Sequence, residues 1–209
     1  MDRLTSKPIL AWINAYGAWD ATLRDPIEMR GYDQYLDALV NYLKNVNGQV
    51  KAVYFSGGML DTKGRTECET VIPILKQRLA EYGIVVPIHA DTESITSIGI
   101  AQKFVHTYLS TYANHQPLLF CDEVRVEVNT YAVQYFLDES GRPDISASSV
   151  VIGLPRQDIH PHSTIQHQQE KLTHMKQVGV MEADIALITS RMAENAAILR
   201  KIAASNGKT

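Results

Sequence analysis

Five short runs of β-branched, aromatic and aliphatic residues, Pro8–Asn14, Val50–Phe55, Ile84–Ile88, Leu118–Cys121 and Val150–Ile152, alternate with longer segments of helical period. That alternation constrains the fold more than any other feature. The runs are apolar at successive positions, so both faces of each strand need cover, whereas a half-solvated antiparallel strand would alternate apolar with polar. The intervening segments supply that cover. Tyr32, Tyr35, Leu36, Leu39, Val40 and Leu43 recur at helical spacing, as do Val71, Ile72, Leu75 and Leu79, and again Ile98, Ala101, Val105 and Leu109. The expected class is α/β, a three-layer sandwich around a mostly parallel sheet of about five strands.

The tail breaks the alternation. Residues 163–177 and 182–204 read as two successive helices with Gly179 between them and no strand. The expected organisation is an α/β domain over residues 1–160, with residues 161–209 as C-terminal helices packed on it or forming a homo-oligomer interface. A chain of 209 residues, 45% hydrophobic and 21% charged, is long enough for one such core. The segment from Asp138 to Asp144 reads as a surface loop.

Charge and apolar run length disfavour several classes of function. Twenty basic against twenty-three acidic side chains give a net charge of −3 without any long run of like charge, which disfavours a nucleic-acid partner. The first residues lack the apolar core of a signal peptide, and no run approaches the roughly 18 apolar residues of a membrane span. A soluble, cytoplasmic protein with no membrane partner is expected. Cys68 and Cys121 are too few and too separated for a disulfide framework, so buried free thiols are expected.

In open α/β sheets, ligands sit beyond the carboxyl ends of the strands, and every strand here is followed by polar residues. Asn14, Tyr16 and Gly17 follow the first; Ser56, Gly57 and Gly58 the second; His89, Asp91, Thr92, Glu93, Ser94 and Thr96 the third. Asp122, Glu123 and Arg125 follow the fourth, and Gly153, Arg156, Asp158 and His160 the fifth. Gly57 and Gly58 leave N–H groups uncovered by side chains, a geometry suited to phosphate or carboxylate. Each residue taken singly also has a structural reading. Ser94, Thr96 and Asp122 are suited to cap helices, and Glu67 and Glu69 suit a first helical turn. Neither the P-loop nor the dinucleotide fingerprint is present, and Ser56 lacks a nucleophile elbow. For His160, His162, His167 and His174, surface or structural roles are preferred to a metal site.

In order and spacing, these blocks resemble the YdcF/SanA/ElyC-like family of bacterial proteins over roughly residues 8–137. The carrying motifs are Ser56-Gly57-Gly58, the helix-opening Thr66-Glu67, the run containing Glu93, Ser94 and Thr96, and the fourth strand leading to Arg125. Two departures stand out. Gly99-Ile100 lies where the family has a helix-opening asparagine, and Cys121-Asp122-Glu123 replaces its hydroxyl-bearing turn with a histidine. The resemblance implies a Rossmann-like sheet with a pocket at the carboxyl edge and, for some relatives, binding of S-adenosylmethionine. Many relatives carry a membrane anchor; the lack of a long apolar run here moves the expectation toward their soluble, cytoplasmic branch.

Two functions follow as expectations. In the first, a nucleotide-like or phosphorylated small molecule, with S-adenosylmethionine a cofactor candidate, is bound by Asn14, Ser56, Gly57, Gly58, Thr66, Glu67, Glu93, Ser94, Thr96, Asp122 and Arg125. Transferase and hydrolase chemistry both stay open, because no catalytic nucleophile is assigned. In the second, the protein is a non-catalytic binding or assembly module that uses its C-terminal helices.

Overall fold

The computed structural model describes residues 7–17, 19, 26–46, 48–61, 63–155 and 197. Five strands form one sheet: β1 (Ile9–Asn14), β2 (Val50–Ser56), β3 (Ile88–Asp91), β4 (Gln116–Asp122) and β5 (Val151–Leu154). Their order is β3-β2-β1-β4-β5, and every pairing is parallel. Helices α1 (Pro26–Asn45), α2 (Glu67–Glu81), α3 (Ser97–Thr111) and α4 (Val126–Glu139) make the crossovers. The expected α/β class is therefore what the chain adopts.

Two cores explain why the strands are apolar throughout. Ile9, Ala11 and Ile13 of β1 face one core with Tyr35, Leu36 and Leu39 of α1 and Val71, Leu75 and Leu79 of α2. Leu10 and Trp12 face the other, with Ala101, Phe104 and Val105 of α3 and Ala132 and Val133 of α4. All six residues of β1 are buried, as a central strand covered on both faces requires. The alternation also decides where polar residues at the strand ends point. Asn14 falls on the α3 side, continuing the series Leu10, Trp12.

The third strand lies further along than the sequence suggests. Only Ile88 of the expected run Ile84–Ile88 is in β3, which continues to Asp91. Gly83, at φ +68°, turns the chain out of α2. Residues 84–87 then approach the sheet, with Ile84 buried, Val85 exposed and Pro87 O accepting from Val53 N–H at 3.1 Å. Apolar character there marks packing of the approach, while the edge strand itself carries exposed His89 and Ala90. The other strands match their expected positions within two residues at either end. Of the expected loop Asp138–Asp144, Asp138 and Glu139 close α4, and the remainder is a mostly exposed turn in which Arg142 pairs with Asp144 at 2.8 Å.

The expected C-terminal helices, 163–177 and 182–204, fall outside the described residues apart from Ala197, which is helical. Among the described residues, no helix is long and apolar enough to cross a membrane.

Candidate functional site at the carboxyl edge

Because β1 feeds α1 on one face and its neighbour β4 feeds α4 on the other, the chain separates at their carboxyl ends. This is the topological switch point, where open α/β sheets bind ligands. The residues lining it come from four elements. Asn14 ends β1, is 3% exposed, and donates from Nδ2 to Ser97 Oγ, at the start of α3, over 3.2 Å. Asp122 ends β4 and lies 3.2 Å from Arg125 Nε. Arg125 Nη1 reaches across the gap to Ala15 O at 3.3 Å, so one guanidinium bridges both lips. From beneath, Tyr35 of α1 donates to Asn14 O at 2.9 Å, with Phe120 O at 3.4 Å. Burial pushes the Tyr35 phenol well above its usual pKa, reinforced by Cys121 and Asp122, so it stays a neutral donor.

The Ser56-Gly57-Gly58 turn has a different role from the one expected of it. Gly57 N–H donates to Asp91 O and Gly58 N–H to Ser94 O, both at 3.0 Å. Neither is left for an anion. The glycines are needed for close passage: a Cβ on Gly57 would sit 2.6 Å from Ala15 Cβ and from Glu67 Cβ, and one on Gly58 would sit 2.3 Å from Thr92 O. Three loops cross there at backbone contact. Ser56 Oγ accepts from Trp12 Nε1 at 2.8 Å and donates to Asp91 Oδ2 at 2.7 Å, which leaves it fully engaged in the core and unsuited to nucleophilic attack.

Asp91 is the centre of this knot. It takes Lys103 Nζ at 2.6 Å, and Lys103 reaches Glu93 Oε2 at 3.0 Å. Burial pushes the Asp91 carboxyl up, but hydrogen bonds from Lys103, Ser56 and Ser94 outweigh it and hold the group below the usual carboxylate range. Glu93 itself lies at the surface, its side chain 74% exposed. Thr66 caps α2 in a reciprocal box with Glu69: Thr66 Oγ1 accepts from Glu69 N–H at 3.2 Å, and Glu69 Oε2 accepts from Thr66 N–H at 2.6 Å. Thr96 caps α3 by accepting from Gly99 N–H at 3.2 Å. Glu67 opens α2 in a buried position against Gly57.

Of the residues expected at the site, Asn14, Asp122 and Arg125 stand at the switch point, Asn14 on the α3 face and Asp122 with Arg125 beside the end of β4. Ser56, Gly57, Gly58 and Ser94 form the structural knot next to the switch point, Thr66 and Thr96 cap helices, and Glu67 packs beneath the loops. Tyr35 was legible only as part of a helix core face and Asp91 only as one of a polar group, while nothing in the sequence singled out Ser97 or Lys103. The thiols offer no reactivity. Burial pushes Cys68 up to about 12, with Glu67 and Asp91 adding to it, and Cys121 also to about 12, with Asp122 adding to it. Among the described residues no group of three or more His, Cys, Asp or Glu could hold a metal; Arg156, Asp158, His160, His162, His167 and His174 lie outside them. Comparison with protein-family models, curated proteins and solved structures finds no match to this chain.

Proposed function

We propose that the protein binds a nucleoside-like small molecule in the crevice between β1 and β4, as a divergent relative of the YdcF/SanA/ElyC-like group, with S-adenosylmethionine the leading candidate. The observation that carries this reading is that the Asn14–Ser97 pair on the α3 face and the Asp122–Arg125 pair, tied across to Ala15 O, stand at neighbouring strand ends at the switch point of the sheet. Charge discriminates among ligands. Asp122 and Glu123 stand beside Arg125, and the glycine N–H groups that would cradle a phosphate are given to Asp91 O and Ser94 O. A hydroxyl-bearing ligand with a cationic centre fits that balance better than a polyphosphate. Covalent catalysis through Ser56 or the thiols is disfavoured, because Ser56 is engaged in the core and both thiols are held protonated, and transferase and hydrolase chemistry both stay open.

The test is a thermal-stability screen of the full chain against S-adenosylmethionine, nucleotides and sugar phosphates. A true ligand at a hundred times its Kd adds about 2.7 kcal/mol. Asp122→Asn and Arg125→Ala should reduce the stabilisation by S-adenosylmethionine at least severalfold in Kd. If no compound stabilises the protein, or if both variants respond like the wild type, the crevice is not the site.

A further inference from the structure

Strand β3 ends the sheet with an exposed edge. Pro87 O accepts from Val53 N–H at 3.1 Å and Asp91 O from Gly57 N–H at 3.0 Å, so alternate residues, Pro87, His89 and Asp91, turn their backbone groups to β2. Ile88 and Ala90 therefore aim theirs outwards, beyond the last strand of the sheet among the described residues. His89 and Ala90 are exposed, and Val85, on the approach, is 94% exposed. Natural edge strands are commonly blunted by charge or by proline. Here residues 82–90 hold no Asp, Glu, Lys or Arg in a chain that is 21% charged, and the nitrogen of Pro87 lies on the β2 side, where it blocks nothing. A ladder of rings runs across the sheet to the same edge. Trp12, Tyr54 and His89 are register neighbours on β1, β2 and β3. Their rings stack with centroids 4.5 Å apart at 2° and then 4.7 Å apart at 25°. Trp12 is pinned by its bond to Ser56 Oγ, and the Tyr54 hydroxyl lies 3.3 Å from that of Tyr112, so His89 rests on a fixed support.

We propose that β3 pairs antiparallel with β3 of a second copy of this chain, about a two-fold axis at His89, joining two sheets into one. Ile88 of each copy then exchanges both backbone hydrogen bonds with Ala90 of the other. His89 faces its own counterpart in the close, non-hydrogen-bonded pair, at about 4.5 Å between Cα atoms. Opposed residues share a face of the sheet, so the two ladders meet ring on ring at the axis. Charge selects a second copy over a foreign charged strand. A two-fold sets like against like, which an uncharged edge tolerates, and the same edge offers a charged peptide no counter-charge. The interface is independent of the crevice between β1 and β4.

The experiment is sedimentation velocity of the full chain over a concentration series, joined to cysteine cross-linking. The wild type should associate from the 23.4 kDa monomer to twice that mass. Ala90→Pro removes an outward N–H and no bond to β2, and His89→Lys sets two ammonium groups against each other. Each should raise the dimer Kd by about tenfold or more, whereas His89→Phe, which keeps the stack uncharged, should not. His89→Cys should give a disulfide-linked dimer under mild oxidation by oxidised glutathione, because the opposed Cα distance suits the bond and the native thiols, Cys68 and Cys121, are buried. Val85→Cys, highly exposed but off the axis, should stay monomeric on the denaturing gel. The histidine and cysteine variants alter exposed side chains, so they decide the matter even where Ala90→Pro disturbs the strand. A wild type that remains monomeric up to about 1 mM overturns the proposal. So does a dimer that neither His89→Lys nor Ala90→Pro weakens, as one formed through the C-terminal segment would be, or one that Val85→Cys cross-links as readily as His89→Cys.

Discussion

Gly58 shows how a residue that reads as a ligand contact can be a packing requirement. Its N–H is taken by Ser94 O, and a methyl group there would press to 2.3 Å on the backbone carbonyl of Thr92, which has no flexible end to move aside. Gly58→Ala should therefore destabilise the fold by about 3 kcal/mol, at the upper end of overpacking costs, as measured by urea denaturation. A cost below about 0.5 kcal/mol, the scale of a neutral surface change, would mean that the loop crossing is looser than described. Loss of ligand binding in a Gly57 or Gly58 variant would then report the crossing of three loops, not a missing anion contact. Asp91 yields a second prediction at this scale. Its carboxyl is lowered in the fold, so it contributes stability that is fully present above its unfolded pKa of about 3.9 and lost as pH falls through the lower folded value. Replacing Lys103 by Met takes away one stabilising partner. Because that lysine is 38% exposed, screening limits the cost at neutral pH to about 1–2 kcal/mol. The difference from wild type should shrink below pH 4, and denaturation midpoints across pH 2–7 would show whether it does.

At the scale of elements, the sequence was legible wherever burial and periodicity agree. The apolar faces of α1, α2 and α3 fall where the spacing puts them, because a helix covering a sheet must present one stripe to it. The strand β3 was misplaced because an edge strand needs cover on fewer sides, so its polar residues hide it while the apolar approach from Ile84 imitates it. Helix α2 adds a feature that pattern alone would oppose: Pro73 lies within it, exposed, without an N–H to offer Glu69 O. The helix persists because Cys68, Val71, Leu75 and Leu79 are buried against the sheet and the Thr66–Glu69 box fixes its start. Pro73→Ala should restore the missing bond and stabilise the protein by about 1–3 kcal/mol. Thr66→Ala should cost about 1 kcal/mol by removing the cap. Thermal midpoints that fail to move in these opposite directions would mean that the helix is held by its packing alone.

For the whole molecule, the class followed from composition along the chain, but the strand order did not. Nothing in Leu118–Asp122 announces that β4 returns beside β1 on the side away from β2. That placement comes from the long α3 crossover, and it decides which polar residues meet. Asn14, Asp122 and Arg125 were legible as polar strand ends; that they stand at adjacent strands at the switch point, while Ser56 and Glu93 do not, depends on which strands are neighbours. The same order divides the sheet into β1–β3 and β4–β5, joined along one seam. Across it run the β1–β4 ladder, the Arg125 bridge to Ala15 O, and Tyr35, whose hydroxyl meets the carbonyls of Asn14 and Phe120. Tyr35→Phe keeps the ring and its packing but leaves these buried carbonyls without that donor, at a cost of about 1–2 kcal/mol. Since the hydroxyl binds the two parts at the crevice itself, its loss should also speed hydrogen exchange at Ala15 and Tyr16 more than at Ala101 or Val133, which lie in the α3–α4 core. Uniform acceleration at all four amides would indicate that Tyr35 stabilises the molecule generally; acceleration confined to the crevice would identify the phenol as the clasp that sets its width.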